Sequence, residues 1–216
     1  MPTFSIIIPM HNSAEYAKKA LDSIKSQSFT DYELILVCDN CTDGTVELAK
    51  QYTDKVFEVN FGNTGLSRSK GLDESTGKYI LFMDDDDWWL HEFVLMQINE
   101  KMSDNIDILQ FSFIWKDKGY YGMNKLANKY TFSNVWSKCI RREFIGDTRF
   151  KNIYYGDDSV FLDELLSKKP RILHWDMPIY YYNWLRKGSQ SEIETTKGTL
   201  NQTLINIARI KRDNRQ

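Results

Sequence analysis

Gly77-Lys-Tyr-Ile-Leu-Phe-Met-Asp-Asp-Asp-Asp-Trp88 carries the apolar run Tyr79–Met83 straight into the carboxylates Asp84–Asp87. A short apolar run without polar alternation reads as a strand buried on both faces, the kind found in parallel sheets covered by helices. Upstream, Phe4–Ile8, closed by Pro9, has the same character, and Tyr32–Val37 and Val56–Val59 read as two further strands. Between them lie helical patterns. Ser13–Ser26 places Tyr16, Ala17, Ala20, Leu21 and Ile24 on one face, with Ser13 as the expected N-cap. Asp43 is the expected cap of a helix reaching about Tyr52, and the Gly-punctuated Gly62–Gly71 is expected to be partly helical. Strands alternating with helices at this spacing predict an α/β fold with a mainly parallel sheet. Ligands of such sheets sit beyond the carboxyl ends of the strands. The polar clusters after Ile8, Val37 and Met83 all fall on that edge.

Downstream the pattern is less regular. Ile106–Phe113 reads as a strand, Trp115–Asn128 as a loop or hairpin, and Ser159–Ser167 as a short amphipathic helix. Ile172–Trp175 and Ile179–Tyr182 read as two strands parted by a turn at Asp176–Pro178. From Ser191 a terminal helix is expected, with Leu200, Leu204, Ile207 and Ile210 on one face. Basic and acidic residues nearly balance, 28 against 30, which lacks the basic footprint of a nucleic-acid binder. Mean hydropathy is −0.50, and no stretch approaches the roughly 20 apolar residues that cross a bilayer. The N-terminus lacks the apolar core of a signal peptide, so the expected location is cytoplasmic, with peripheral membrane contact left open.

Four adjacent carboxylates at a strand end repel one another and call for a counter-charge. A hard divalent cation such as Mg²⁺ supplies one, taking carboxylate and phosphate oxygens; an exposed acidic turn is the plainer alternative. Cys38-Asp-Asn-Cys41 lies at a second strand end. It reads as a strand-to-helix turn in which Asp39 accepts a hydrogen bond from a ligand, with a redox pair or half a zinc site as alternatives. The three cysteines, Cys38, Cys41 and Cys139, do not make a disulfide framework. Asp157-Asp158 precedes the helical Ser159–Ser167; the pair either caps and complements the helix dipole or contains a general base.

Phe4-Ser-Ile-Ile-Ile-Pro-Met-His-Asn12, Leu21-Asp-Ser-Ile-Lys-Ser-Gln-Ser-Phe29, Glu33-Leu-Ile-Leu-Val-Cys-Asp-Asn-Cys-Thr-Asp-Gly-Thr45 and Gly77–Trp88 together resemble the family 2 glycosyltransferases. The resemblance extends to Val135-Trp-Ser-Lys138, Arg141-Arg142 and Gly156-Asp157-Asp158. It implies a GT-A fold over residues 1–216: a Rossmann-like mixed, mainly parallel sheet flanked by helices, with a smaller acceptor-side subregion. Residues 1–100 would form the nucleotide-sugar half, and 101–216 the acceptor half with its C-terminal helix.

The activity implied is metal-dependent, non-processive, inverting transfer of a sugar from a nucleotide diphosphate sugar, UDP before dTDP, to a hydroxyl of a glycan or glycoconjugate acceptor. Pro9, His11, Asn12, Asp39, Gly65, Arg68, Gly71, Asp84 and Asp85 would line the donor site. Asp39 would meet the N3–H of the base, Asp86 would bind Mn²⁺ or Mg²⁺ directly, and Asp158 would be the catalytic base. Trp88, Trp136 and Asp157 would face the acceptor. Several positions depart from the family pattern: His11 stands for Tyr, Cys38 for Asp, Cys41 for Ser, Ser69 for Asn and Asp157 for Glu. Two readings compete with transfer. A sugar nucleotidyltransferase would carry a Gly-rich basic loop after the first strand, where this chain has Pro9-Met-His-Asn-Ser-Ala-Glu15. An inactive carbohydrate-binding module would have lost the aspartate run or Asp158, and both are present.

Overall fold

The computed structural model describes residues 1–116, 119–121, 134–154 and 156–183. Chain order is β1 Phe4–Met10, α1 Ala17–Lys25, β2 Tyr32–Asp39, α2 Thr45–Ala49, β3 Val56–Val59, α3 Thr64–Asp73, β4 Tyr79–Phe82 and β5 Trp88–Trp89. Then come α4 Val94–Lys101, β6 Ile108–Trp115, β7 Gly119–Tyr121, β8 Lys138–Arg141, α5 Arg142–Ile145, α6 Asp157–Ser167 and β9 Ile172–Tyr182. One sheet runs β3-β2-β1-β4-β8-β6-β9-β5, with β7 hung on β6. The first four strands are parallel, as expected from the sequence. The second half joins through antiparallel β8, which pairs with both β4 and β6, and β9 returns parallel to β6.

The central strands are buried on both faces, and their alternate residues enter two cores. Ile6 and Ile8 of β1 join Leu36, Leu81 and the Ala17–Leu21–Ile24 face of α1 on one side. Ile7 joins Ile35, Ile80, Phe82, Leu72 of α3, and Phe161 and Leu165 of α6 on the other. Continuous rather than alternating hydrophobicity in Phe4–Ile8 follows from this double coverage. Pro9 sits in a central strand without breaking it. β4 ends its pairing opposite Ile7, and Met83 N–H, donating to Ile7 O at 3.1 Å, is the last bond on that side. The missing Pro9 N–H points to the same side, where no strand remains to be paired.

Three local expectations need correction. The helix of Ser13–Ser26 is preceded by a turn, since Tyr16 and Ala17 donate to Ser13 O, and it starts at Ala17; Ser13 is not its N-cap. Asp43 does not cap as the N-cap residue either. Gly44 holds that position, while Asp43 accepts from Thr45 N at 3.0 Å and Ala14 N at 3.1 Å, tying the two strand-to-helix turns together. Ile172–Tyr182 is one strand, with register irregularities against β6 between Phe111 and Phe113. The bulge absorbs Pro178 and lets the strand continue where a turn was expected; Ser112 Oγ donates to Asp176 at 2.6 Å there. Of the Trp115–Asn128 stretch expected to be a loop or hairpin, Gly119–Tyr121 pairs antiparallel with β6, and 117–118 and 122–128 lie outside the described residues. The helix expected from Ser191 lies outside the described residues. Trp88–Trp89 and Lys138–Arg141 form strands that the sequence pattern did not announce.

Candidate active site

The ends of β1, β2 and β4 and the starts of α3 and α6 meet at one edge of the sheet. Asn12 and Asn40, the residues that turn the chain out of β1 and β2, both have left-handed backbones, with φ of 46° and 52°. Asparagine tolerates this conformation better than most residues. Asn12 Oδ1 accepts from Thr42 N at 2.8 Å, Thr45 Oγ1 accepts from Ser13 N at 2.7 Å, and His11 Nδ1 lies 2.6 Å from Asp39 O. The first two turns are therefore one rigid unit, with His11 and Asn12 exposed on it.

Asp39 is buried, and its carboxylate already receives five donors. Oδ1 takes Phe61 N at 2.7 Å, Gly62 N at 3.0 Å and Asn40 Nδ2 at 3.2 Å; Oδ2 takes Asn63 N at 3.0 Å and Ser67 Oγ at 3.1 Å. An ionised carboxylate offers about four lone-pair sites. In this conformation Asp39 organises the loop leading into α3, and its capacity for a base N3–H is already taken up. Asn63 continues the chain of contacts: it caps α3 through Leu66 N and donates to Ile153 O, both at 3.0 Å.

Arg68 is the hub of the site. It is buried on α3; Nη2 donates to Asp84 Oδ1 at 2.7 Å, and Nη1 to Asp157 Oδ2 at 2.8 Å and Asp158 Oδ1 at 2.7 Å. Burial alone would lower its pKa, but Asp158, Asp84 and Asp157 outweigh burial and hold it charged. Gly65, one turn earlier, makes room for this. A Cβ there would lie 3.0 Å from Asp157 Oδ2. Gly71 has a different job from the donor contact expected of it: a Cβ would come within 2.3 Å of Ile7 Cγ2, so it seats α3 on β1.

The aspartates divide by environment. Asp87 is wholly buried, accepts from Tyr180 Oη at 2.6 Å and Asn183 N at 2.8 Å, and is pushed well above the usual carboxylate range, first by burial. Asp84, Asp85 and Asp86 keep partial exposure toward the cleft. Asp85 accepts from His11 N at 3.3 Å, and burial followed by the charge of Asp86 raises its pKa to about 8. Negative charge thus accumulates beyond what Arg68 neutralises. Among the described residues no set of three His, Cys, Asp or Glu side chains converges to hold a metal by itself. The arrangement fits a divalent ion held by one or two carboxylates and completed by substrate phosphates.

Asp158, at the start of α6, is partly buried. Oδ1 is held by Arg68 and Oδ2 by Val135 N–H at 2.9 Å. Burial first, opposed by Arg68 and helped by Asp157 and Asp84, raises its pKa to about 7. Sequence reasoning included Val135–Lys138 in the resemblance but gave the turn 134–138 no role beside Asp158. Lys138 is wholly buried and donates to Asn134 O at 2.6 Å; the apolar context of Val135-Trp136 was the available signal. Two aromatic expectations also change. Trp136 is buried, stacked on Tyr180 at 4.8 Å and edge-on to Phe113 at 4.7 Å, so it packs the core and presents no ring face to an acceptor. Trp88 has Tyr181 stacked at 4.1 Å and the Lys19 ammonium 3.2 Å from its centroid, distances that require opposite faces; both faces are covered. Cys38 and Cys41 are free thiols, Cys38 raised by its hydrogen bond with Cys41 and by burial, and Cys41 drawn down to about 7 by the hydrogen bond with Cys38.

This geometry agrees with what the chain matches: the description "Glycosyl transferase family 2" covers residues 5–166. The chain belongs to glycosyl transferase family 2. Similar curated proteins include the glycosyltransferase GlyA of Streptococcus pneumoniae, 25% identical, aligned over 89% of this chain and 32% of its own. The cholesterol galactosyltransferase of Borreliella burgdorferi is 29% identical over 87% of this chain and 61% of its own. This family 2 chain therefore spans about a third of the one relative and under two thirds of the other. Among solved structures, S. aureus TarS 1–349 in complex with UDP-GlcNAc superposes with a TM-score of 0.77 at 22% identity, covering 88% of this chain and 60% of that one. The mannosyltransferase PcManGT from Pyrobaculum calidifontis, in complex with GDP-Man and Mn²⁺, gives 0.72 at 16% identity over 87% and 58%. The glycosyltransferase fold is GT-A. No helix among the described residues is long and apolar enough to cross a membrane.

Proposed function

We propose that this chain transfers a glycosyl group from a nucleoside diphosphate sugar, UDP preferred, to a hydroxyl of a glycan or glycoconjugate, inverting the anomeric carbon. The observation that carries the reading is the Arg68 hub. One buried guanidinium holds Asp84, at the strand end where a donor diphosphate would lie, together with Asp158 at the start of α6. Donor-side and acceptor-side carboxylates are thereby kept in one fixed arrangement. The UDP preference draws on TarS, whose solved complex contains UDP-GlcNAc.

Asp158 acts as general base. Its two oxygens are oriented by Arg68 and by Val135 N–H, and a pKa raised to about 7 makes it a stronger base than an exposed aspartate while leaving it substantially ionised near neutrality. The acceptor oxygen forms its bond to the anomeric carbon as its proton passes to Asp158. The bond from that carbon to the diphosphate oxygen breaks, and the electron pair leaves with the diphosphate. Asp86, with Asp84 beside it, would hold Mn²⁺ or Mg²⁺, and such an ion neutralises charge on the leaving diphosphate. His11, Asn12 and the rigid turns at the ends of β1 and β2 line the nucleotide, and the loop ordered by Asp39 shapes the pocket around the base.

The test is Asp158→Asn. Donor binding should survive, and transfer should fall by about a hundredfold or more, the low end of what a general base supplies. Wild-type product should show inverted anomeric configuration by NMR. Retained configuration, or undiminished transfer by the variant, would place the base elsewhere.

A further inference from the structure

We infer that Lys138 is a positioning residue for the general base, acting on Asp158 through the single peptide group that joins Asn134 to Val135. The inference rests on the assignment of Asp158 as base. Lys138 Nζ donates to Asn134 O at 2.6 Å, and Val135 N–H, the other end of the same peptide, donates to Asp158 Oδ2 at 2.9 Å. The order is ammonium, carbonyl, amide N–H, carboxylate. A cation on the carbonyl polarises the peptide and strengthens what its N–H offers, so the bond to Asp158 gains from both ends.

The burial of Lys138 argues that this contact matters. The residue is wholly buried on β8, and it also donates to Ser137 Oγ at 3.3 Å, which itself donates to Asn134 Oδ1 at 2.5 Å. Burying an ammonium costs several kcal/mol unless its surroundings compensate. Asp158 supplies negative charge nearby, and its field acts against the burial that lowers the Lys138 pKa to about 7. The turn 134–138 is closed by Lys138 N–H donating to Val135 O at 3.2 Å, so the peptide cannot rotate away from either partner without breaking the turn. Arg68 fixes Oδ1 of Asp158 from α3, and the Lys138 relay fixes Oδ2 from β8. The base is gripped from two elements and leaves its remaining lone pairs for the acceptor.

The charged groups around this carboxylate are Arg68 from α3, Asp157 on its own helix, Asp84 at the end of β4, and Lys138 from β8, with His174 of β9 facing Lys138. Removing the Lys138 charge removes an influence that favours the ionised base. The experiment measures kcat and donor KM against pH for wild type, Lys138→Met, Asp158→Asn and the double variant. Lys138→Met should lower kcat by about tenfold, part of the hundredfold or more a general base supplies, with donor KM within about twofold. Its acid limb should move to higher pH. Added to Asp158→Asn, it should cost nothing further.

Wild-type kcat and an unmoved limb in Lys138→Met, while Asp158→Asn loses transfer, would overturn the relay and leave the base assignment standing. Undiminished transfer by Asp158→Asn would instead overturn the base assignment and the relay with it. Should Lys138→Met not fold, NMR of the wild-type protein decides. The Val135 amide and the Asn134 carbonyl carbon should both follow the titration step of Asp158, and that step should disappear in Asp158→Asn while any step of Lys138 itself remains. An Asn134 carbonyl that does not follow the Asp158 step would overturn the relay.

Discussion

The Tyr180 hydroxyl donates to Asp87 Oδ2 at 2.6 Å and accepts from Asp84 N–H at 3.3 Å, so one phenol from β9 holds both ends of the aspartate run. Asp87 is thereby turned into the protein and Asp84–Asp86 toward the cleft. An acidic run that would otherwise be a pliable turn becomes a shaped one.

Tyr180→Phe keeps the ring packing on Trp136 and removes only the hydroxyl. Asp87 keeps the Asn183 N–H on its other oxygen, and a buried acceptor deprived of a partner costs about 1–3 kcal/mol. For a chain of this size that lowers the melting temperature by roughly 2–12 °C. Donor KM should rise as Asp84 loosens. An unchanged melting curve together with unchanged donor affinity would show that the hydroxyl does not brace the run.

Asp39→Ala should act mainly on the loop into α3. Three backbone N–H groups, of Phe61, Gly62 and Asn63, lose their acceptor. With partial rescue by water, we expect a loss of about 3 kcal/mol, from penalties of about 1–3 kcal/mol for each unsatisfied buried group. UDP affinity by calorimetry should fall as well, because the loop borders the base. Weaker UDP binding with wild-type thermal stability would mean that Asp39 meets the base directly, with no role in ordering the loop.

Activity should rise with pH as Asp158 loses its proton, since a general base works ionised. The acid limb of kcat/KM in the unliganded protein should lie near its pKa of about 7. Asp157 pushes that pKa up by like-charge repulsion. Asp157→Asn should therefore move the limb to lower pH. A limb that stays in place, or moves upward, in a pH–rate profile would contradict the proposed electrostatics.

Divalent ions should matter more at neutral than at acid pH. Asp85 is raised to about 8 and Asp158 to about 7, above the ordinary aspartate value near 3.8. Groups with raised folded pKa values contribute stability that is fully present below about pH 4 and is lost as pH rises toward 7–8. His174, lowered by burial, works in the opposite direction around its ordinary value of 6.5. Mn²⁺ with UDP should thus raise the melting temperature more at pH 7 than at pH 5. Asp86→Ala should lose most of that increment, and full transfer by this variant in chelator would falsify the metal assignment.

The strands of the first half were legible because each is a local pattern. Phe4–Ile8 and Tyr79–Phe82 are short, mostly apolar runs whose burial on both faces needs no polar alternation, and Val56–Val59 is a short β-branched and aromatic stretch at the sheet's edge. The bulged β9 was not legible. Asp176-Met-Pro178 has the composition of a turn, and only pairing with β6, through Ser112 and Asp176, converts it into strand. Trp136 illustrates the same limit for the site. An aromatic residue beside a motif can face a ligand or the core, and the choice depends on Tyr180 and Phe113, which the chain supplies from elsewhere.

The order of strands and helices from β1 to β4, the placement of acidic clusters at strand ends and the balance of charge were set by the sequence alone, because they depend on periodicity and composition over a few residues. Which aspartate is buried, which is neutralised and which is free to work was decided by the tertiary structure. Arg68 and Asp158 stand 90 residues apart in the chain, and Tyr180 and Asp87 93. A carboxylate's pKa and reach depend on the donors and dielectric around it, and those arrive from distant segments only when the sheet closes.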